Sequence, residues 1–505
     1  GDGAMNQGAV HEAMNFAAAF SLPVVFLCEN NSWSELTAID EMVGEPELWR
    51  RAAGYGMPGE RIDGNDPEQV RDRLGDAFEV AREGGGPTLV EAMTQRLVGH
   101  YIGDADQYRR PGERERDAEN EPVALLTRRL RGAGVSDDEI AGTERAAREE
   151  MDTASAAALA APLADTSMPD TAVSPPATTT ETRELTYGEA VNAALRRCLD
   201  ELPETLLFGE DIAKPGGVFG VTRGLRRDFG DRVFDTPISE SAILGSAVGA
   251  AMLGRRPIVE IMWVDFSLVA FDQVVNQLAN VRYVSRGELT APVTIRTQQG
   301  SAPGACAQHS QSLEALFLHV PGLRVCMPWT AQDAYDLLVA AVHSDDPVLV
   351  IENRTLYPTG KGPVRLGGPA QTPGGLRVRR EGTDATVVTW GAMTARVLEG
   401  AATLADEGIS LEVLETVWLN PFPSDQIVAS AGRTGALALV HEANVTGGFG
   451  AEVVARVAGQ GVPLRVPPLR LGLPDTRVPA APSLVAGLLP GPGDIAGSVR
   501  AWLRN

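Results

Sequence analysis

Two short stretches of the chain carry residue types suited to cofactor chemistry. The first opens the sequence as Gly1-Asp2-Gly3-Ala4 and, after a helix-like run to Phe20 and an apolar strand from Leu22 to Cys28, reaches Glu29-Asn30-Asn31. Asp2 and Asn31 offer hard oxygen donors. Magnesium takes about six such oxygens in octahedral array, usually one or two from carboxylates and others from phosphates. The neighbouring glycines permit close backbone approach, and the helix expected to begin near Gly8 adds N–H groups for the same anion. The chemistry is capture of a metal-bound diphosphate. Gly-Asp-Gly alone is an ordinary turn, and the Asn-Asn pair after a buried strand sets this one apart.

The second stretch is Val233-Phe234-Asp235-Thr236-Pro237-Ile238-Ser239-Glu240, followed by an Ala/Gly-rich helix from Ala242 to Gly254. It places Glu240 at a strand-to-helix junction facing a crevice. A carboxyl kept protonated there by burial can handle protons, whereas a helix-end carboxylate is the plainer reading.

The elements that must position these groups alternate between helix and strand. After Asn31 the pattern predicts a helical segment from Pro46 to Ala53, a strand and turn over Arg61 to Asp66, a helix from Pro67 to Glu83 and a strand from Pro87 to Met93. Such order specifies an open parallel sheet, whose ligands gather at the carboxyl ends of the strands. Neighbouring strands lie about 4.8 Å apart, so a strand before Gly1 beside the 22–28 strand would let Asp2 and Asn31 reach one cation. A preceding N-terminal portion is therefore expected, which leaves the first domain incomplete.

The fold class is α/β in three domains. The first spans 1–161 and ends in an alanine-rich helical region, and a Pro/Thr/Ser/Ala-rich linker covers 162–182. A second unit occupies 183–365, with strands at Leu206 to Gly209, Val293 to Thr297 and Val348 to Glu352. A third occupies 376–505, with strands at Ala385 to Thr389, Leu411 to Leu414 and Ala436 to Val440. Its Gly447-Gly448-Phe449-Gly450 turn is not a complete dinucleotide fingerprint.

A net charge of -23 disfavours nucleic acid and anionic membrane surfaces as partners. Lys214 and Lys361 are the only lysines. Four scattered cysteines without a C-x-x-C pair indicate reduced structural thiols in a cytoplasmic protein. No apolar run reaches the 18 or so residues of a membrane span.

The segment GDGAMNQGAVHEAMNFAAAFSLPVVFLCENN resembles the thiamine-diphosphate motif in the alpha subunit of the decarboxylating component of 2-oxo acid dehydrogenase complexes, a group that includes acetoin dehydrogenases. The resemblance implies that Asp2, Asn31 and the Trp33 carbonyl hold Mg2+, while Gly3 and Ala4 approach the diphosphate. Gly99-His100-Tyr101-Ile102-Gly103-Asp104 resembles the loop closing over that family's active site, in its acetoin-type form. There His100 would contact cofactor or substrate, and Asp104 would anchor the loop. Tyr101 stands where mitochondrial relatives carry a regulatory serine, so their phosphorylation switch is not expected.

From Glu184 to the C-terminus the chain resembles the beta subunit of the same enzymes, which makes it an alpha–beta fusion with a transketolase C-terminal-like third domain. By that resemblance Glu240 hydrogen-bonds a pyrimidine nitrogen of thiamine diphosphate and favours the imino tautomer that deprotonates the thiazolium carbon. Phe266 would stack on the pyrimidine, and His309 in Ala307-Gln308-His309-Ser310-Gln311 would position substrate and serve acyl transfer. Each has a plainer reading, Phe266 as a core aromatic and His309 as one of six histidines. His309-Ser310 does not read as a hydrolase triad, whose members are recognised by spatial geometry. Ala341 to Asp346 matches, loosely, a segment where some relatives bind a structural K+.

The implied activity is oxidative decarboxylation of pyruvate or a branched-chain 2-oxo acid in a bacterial cytoplasm, with acyl transfer to a lipoyl-bearing acyltransferase. The implied assembly is a homodimer equivalent to alpha2beta2, whose cofactor is completed by the partner protomer. The alternatives are acetoin cleavage on the same machinery, a transketolase or deoxyxylulose-phosphate synthase of the same domain order, and an inactive scaffold or fragment.

Overall fold

The computed structural model describes residues 1–163, 181–302, 304–358, 361–368 and 374–504. The chain divides into two compact units, Gly1–Ser167 and Met168–Asn505. Most of the predicted 162–182 linker lies outside the described residues, and its last two positions already belong to the strand Glu181–Leu185.

The first unit carries a parallel three-stranded sheet in the order Val25–Asn30, Thr88–Met93, Gly59–Asp63. Helix Gly8–Ala19 precedes the first strand. That strand begins at Val25 rather than Leu22, because the Leu22 N–H closes the helix end on the Ala17 carbonyl and Pro23 has no N–H to give a ladder. It runs two residues past Cys28 and so takes up Asn30. The predicted 46–53 helix is the 3-10 helix Leu48–Tyr55. Helix Pro67–Arg82 starts as expected, with Pro67 in its first turn and the Asp66 carboxylate accepting the Glu68 and Gln69 N–H groups. Three further helices follow, Glu113–Glu119, Pro122–Gly132 and Asp137–Ala160, and the last buries no residue.

The second unit holds two main sheets and a two-stranded antiparallel pair, Glu181–Leu185 with Gly362–Leu366. The larger has seven strands in the order Trp418–Asn420, Arg324–Cys326, Val348–Asn353, Thr294–Gln299, Arg256–Ile261, Thr205–Gly209, Val233–Asp235. Only the first pairing is antiparallel. Six strands therefore end at one edge, and the loops after Gly209, Asp235, Ile261, Gln299 and Asn353 open there together. Thr186 and Glu189 form a reciprocal capping box that starts the helix Tyr187–Glu201.

The middle strand buries a charge. The Arg296 guanidinium is wholly inside and meets Glu260 at 2.6 Å and Glu352 at 2.8 Å. A buried cation persists only when paired and hydrogen-bonded in this way.

The smaller sheet runs Leu376–Arg380, Leu411–Thr416, Ala385–Thr389, Leu437–Asn444, Leu469–Leu473, parallel except for its first strand. The chain passes from Leu411–Thr416 directly into Trp418–Asn420, which pairs with the edge of the larger sheet. One apolar core then spans both sheets, joining Phe208, Ile243, Val259 and Leu349 to Val388, Trp390, Leu414 and Leu439. The glycine turn serves packing. A Cβ at Gly450 would sit 2.8 Å from the buried His441 ring, and one at Gly448 would sit 2.3 Å from the Asn444 carbonyl.

Candidate active site

In the first unit the opening turn folds against the segment after the first strand, since a Cβ on Gly3 would sit 2.5 Å from Ser34 Oγ. Asp2 is 2% exposed, and its Oδ2 has no hydrogen-bond partner. An orphaned buried carboxylate oxygen is costly unless a cation or donor completes it. Asn31 Oδ1 accepts the Trp33 N–H at 3.0 Å. The adjacent Asn30 is used differently, its Nδ2 donating to the buried Glu91 at 2.7 Å. Glu91 also takes Arg61 and the Trp49 N–H. Burial alone would raise that carboxyl, but the Arg61, Asn30 and Trp49 hydrogen bonds outweigh it and hold the group below its ordinary range.

The Trp33 carbonyl accepts from the Arg96 guanidinium at 3.2 Å, so a cation there would share this oxygen with a positive charge. Its second lone pair stays available. The orphaned Asp2 oxygen and the Asn31 amide oxygen are hard donors of the type a magnesium diphosphate takes, and no group of three or more His, Cys, Asp or Glu among the described residues makes a separate metal cage. Asn31 and Trp33 also line a cavity of about 440 Å³ with Gln95, Arg110 and Glu113.

His100 is solvent-exposed, in the same unit, and its ring meets Tyr101 edge-to-face. Asp104 accepts the His100 N–H at 2.8 Å, the Asp106 N–H at 2.9 Å and the Tyr108 hydroxyl at 2.8 Å. The Asp106 contact contributes most to holding the Asp104 carboxyl below its ordinary range, and burial opposes it.

In the second unit the residues singled out collect at the carboxyl edge of the large sheet. The helix Glu240–Met252 begins two residues earlier than its small-residue run suggests, which puts Glu240 in the first turn, buried, behind the N-cap Ser239. Across the edge, burial pushes the Glu210 carboxyl up to about 7, and the charges of Glu240 and Asp211 add to it. The His309 ring lies edge-on to both Trp263 and Phe266, with centroids 5.5 and 5.3 Å away.

Three neighbours escaped sequence reasoning. Arg354 stacks over Trp263 at 4.8 Å and donates to Ser310 Oγ at 3.3 Å. Asp265 accepts the Gln311 amide at 2.9 Å. Glu210 directly follows the strand Thr205–Gly209, as Asn31 directly follows Val25–Asn30.

The segment from Ala341 to Asp346 is occupied by arginine. Arg256 donates to the Val342 and Ser344 carbonyls at 3.1 and 3.0 Å and to Asp345 at 2.5 Å. Arg282 and Arg324 each meet Asp346 at 2.8 Å. Three guanidiniums thus already bond to acceptors of this segment, so a potassium ion there would sit beside three positive charges.

Residues 1–167 match the family Dehydrogenase E1 component, 183–360 the pyrimidine binding domain of transketolase, and 374–495 the transketolase C-terminal domain. The fold and the site at the strand ends thus define a thiamine-diphosphate-dependent enzyme of transketolase-like architecture. The chain belongs to the dehydrogenase E1 component family, joining an alpha-type domain to a beta-type half in one polypeptide.

It is 39% identical over 338 residues to the beta subunit of acetoin:2,6-dichlorophenolindophenol oxidoreductase of Cupriavidus necator, covering 64% of this chain and 98% of that one. It is 42% identical over 327 residues to the 3-methyl-2-oxobutanoate dehydrogenase beta subunit of Mycobacterium tuberculosis, covering 64% and 93%. It is 40% identical over 298 residues to the beta subunit of the pyruvate dehydrogenase E1 component of Bacillus subtilis, covering 59% and 92%. A split-gene transketolase, solved as an inactive beta4 tetramer, superposes with a TM-score of 0.54 at 26% identity over 64% of this chain and 99% of its own.

Proposed function

We propose that the chain catalyses oxidative decarboxylation of a 2-oxo acid, pyruvate or a branched-chain analogue, and passes the acyl group to the lipoyl arm of an acyltransferase partner in a bacterial cytoplasm. The working assembly in this reading is a homodimer. The observation that carries the proposal is the buried Asp2 carboxylate with one unpartnered oxygen, in a domain of the dehydrogenase E1 type.

Thiamine diphosphate, when bound, supplies the nucleophilic carbon and the electron sink for cleavage beside a carbonyl. Asp2 and Asn31 would hold Mg2+ with the Trp33 carbonyl, and Gly3 and Ala4 would let backbone approach the diphosphate. Glu240 would hydrogen-bond the pyrimidine nitrogen. Phe266 would give the pyrimidine a flat apolar face. His309, oriented by Trp263 and Phe266, would place the substrate carboxylate and serve acyl transfer. His100, on its Asp104-anchored loop, would exclude water.

A second reading, acetoin cleavage without loss of carbon dioxide, stands beside it, since the acetoin oxidoreductase beta subunit matches at 39% identity, level with the 2-oxo acid dehydrogenase relatives, over more residues. Calorimetric titration of thiamine diphosphate with magnesium tests the cofactor. A panel of pyruvate, 3-methyl-2-oxobutanoate and acetoin with 2,6-dichlorophenolindophenol separates the substrates. Turnover of a ketose phosphate with none of the three would sink both readings.

A further inference from the structure

We infer that the C-terminal domain is a working part of the active site, in which Glu442 positions the loop that carries His309. The inference rests on the functional reading above for the role of His309, and on geometry for the rest.

Glu442 lies near the end of the strand Leu437–Asn444 and is 9% exposed. Its Oε1 accepts the Ser301 N–H at 3.1 Å, and its Oε2 accepts Asn353 Nδ2 at 2.7 Å. One carboxylate of the C-terminal domain therefore ties the loop that leaves the strand Thr294–Gln299 to the last residue of the neighbouring strand Val348–Asn353. Gly300 seals the junction. Its φ is +117°, and a Cβ there would sit 2.7 Å from Asn353 Oδ1.

The same domain grips the loop twice more. The Gly304 N–H donates to the Ala480 carbonyl at 3.0 Å, and the Arg477 guanidinium donates to Gln311 Oε1. Gln311 in turn donates to Asp265 at 2.9 Å, beside Phe266. Arg354, the residue after Asn353, completes the circuit through Ser310 and Trp263. His309 is thus held at a fixed angle to Phe266 by contacts that begin in another domain.

The physical need is plain. A loop with Gly300 and Gly304 loses much conformational entropy when ordered. Removing the Glu442 acceptor strands two donors in a low-dielectric interior. Burial holds the Glu442 carboxyl above its ordinary range, with the Ser301 hydrogen bond opposing it, so the group is costly to keep where it serves no contact.

The test combines exchange and kinetics in the full chain. In Glu442→Ala, hydrogen exchange of the peptides covering 300–311 should accelerate at least tenfold, while those covering the strand Ala385–Thr389 in the C-terminal core stay protected. Substrate turnover should fall 10- to 100-fold with thiamine diphosphate affinity within twofold of wild type. The loss should vanish in a His309→Ala background, because both changes remove one function. Glu442→Gln, which keeps one acceptor oxygen, should recover part of the rate. Arg477→Met, an exposed change that cannot threaten the core, should show the same non-additivity on a smaller scale.

Losses that add in the double variants, or unchanged exchange at 300–311, would overturn the inference. A wild-type protein that turns over neither 2-oxo acid nor acetoin would instead refute the functional reading, and the exchange result would still judge the clamp.

Discussion

Phe266 and His309 meet edge-to-face with ring centroids 5.3 Å apart, although they leave the sheet on different strands, after Ile261 and Gln299. An apolar face and an imidazole at this spacing suit a site that holds a flat heterocycle beside a reacting carbonyl. His309→Ala should lower turnover by about 10²- to 10⁴-fold, the range for a positioned acid–base group. Phe266→Ala should weaken cofactor binding by about tenfold, an aromatic pair being worth about 0.5–1.5 kcal/mol. Steady-state kinetics and calorimetry separate the two effects.

Glu240→Gln preserves size and the helix start, and it should abolish turnover while leaving circular dichroism and magnesium-dependent cofactor binding nearly intact. Retained activity in this variant would remove Glu240 from the proposed chemistry.

Asp2→Asn should do the opposite to binding and to stability. It removes a charge from a carboxylate whose Oδ2 is buried without a partner, so the cofactor-free protein should melt at the same or a higher temperature. Magnesium-dependent binding of thiamine diphosphate should be lost. Calorimetry with and without magnesium, beside a thermal melt, reads both.

Arg296→Met should be among the most damaging core changes. It strands the buried carboxylates of Glu260 and Glu352, a loss of about 3–5 kcal/mol by urea unfolding. Adding Glu260→Gln and Glu352→Gln should recover much of it, because the cost lies in the uncompensated charges.

His441 makes the second unit acid-sensitive. Burial pushes its imidazole down to about 4, with Arg470 adding to the effect and the Ala443 carbonyl opposing it. The folded state thus holds a neutral ring where the unfolded chain binds a proton below about 6.5. Stability is present above that value and is lost as pH falls toward 4, by about 3 kcal/mol in all. His441→Phe, which keeps the stack on Trp390, should flatten this slope in urea midpoints measured between pH 7 and 4.

Arginine occupancy of the 341–346 segment predicts indifference to potassium. Melting temperatures in potassium chloride and in choline chloride of equal ionic strength should agree within a degree. Arg256→Ala should lower both by several degrees, since it frees the Val342 and Ser344 carbonyls and Asp345 together. A potassium-specific rise in the wild type would show that the ion binds despite the guanidiniums.

Periodicity and punctuation in the chain determined the alternating helices and strands, the parallel sheets and the strand-end positions of Asn31 and Glu240, because these are local properties of side-chain order. The inward turn of the Asn30 side chain was not local. It depends on Glu91, which lies on the neighbouring strand and takes the Asn30 amide inside.

The same holds for Arg296, indistinguishable in the sequence from any surface arginine until Glu260 and Glu352 close on it from the strands on either side. The arginines of the 341–346 segment arrive from Arg256, Arg282 and Arg324, and no spacing rule connects those positions. Composition and pattern therefore settled which elements form and which residues stand at their ends. Only the tertiary structure decided which carboxylates are paired, which stay orphaned as Asp2 Oδ2 does, and that a C-terminal glutamate reaches the His309 loop. Charge pairing and loop anchoring are contacts between distant parts of the chain, and a linear pattern carries no record of them.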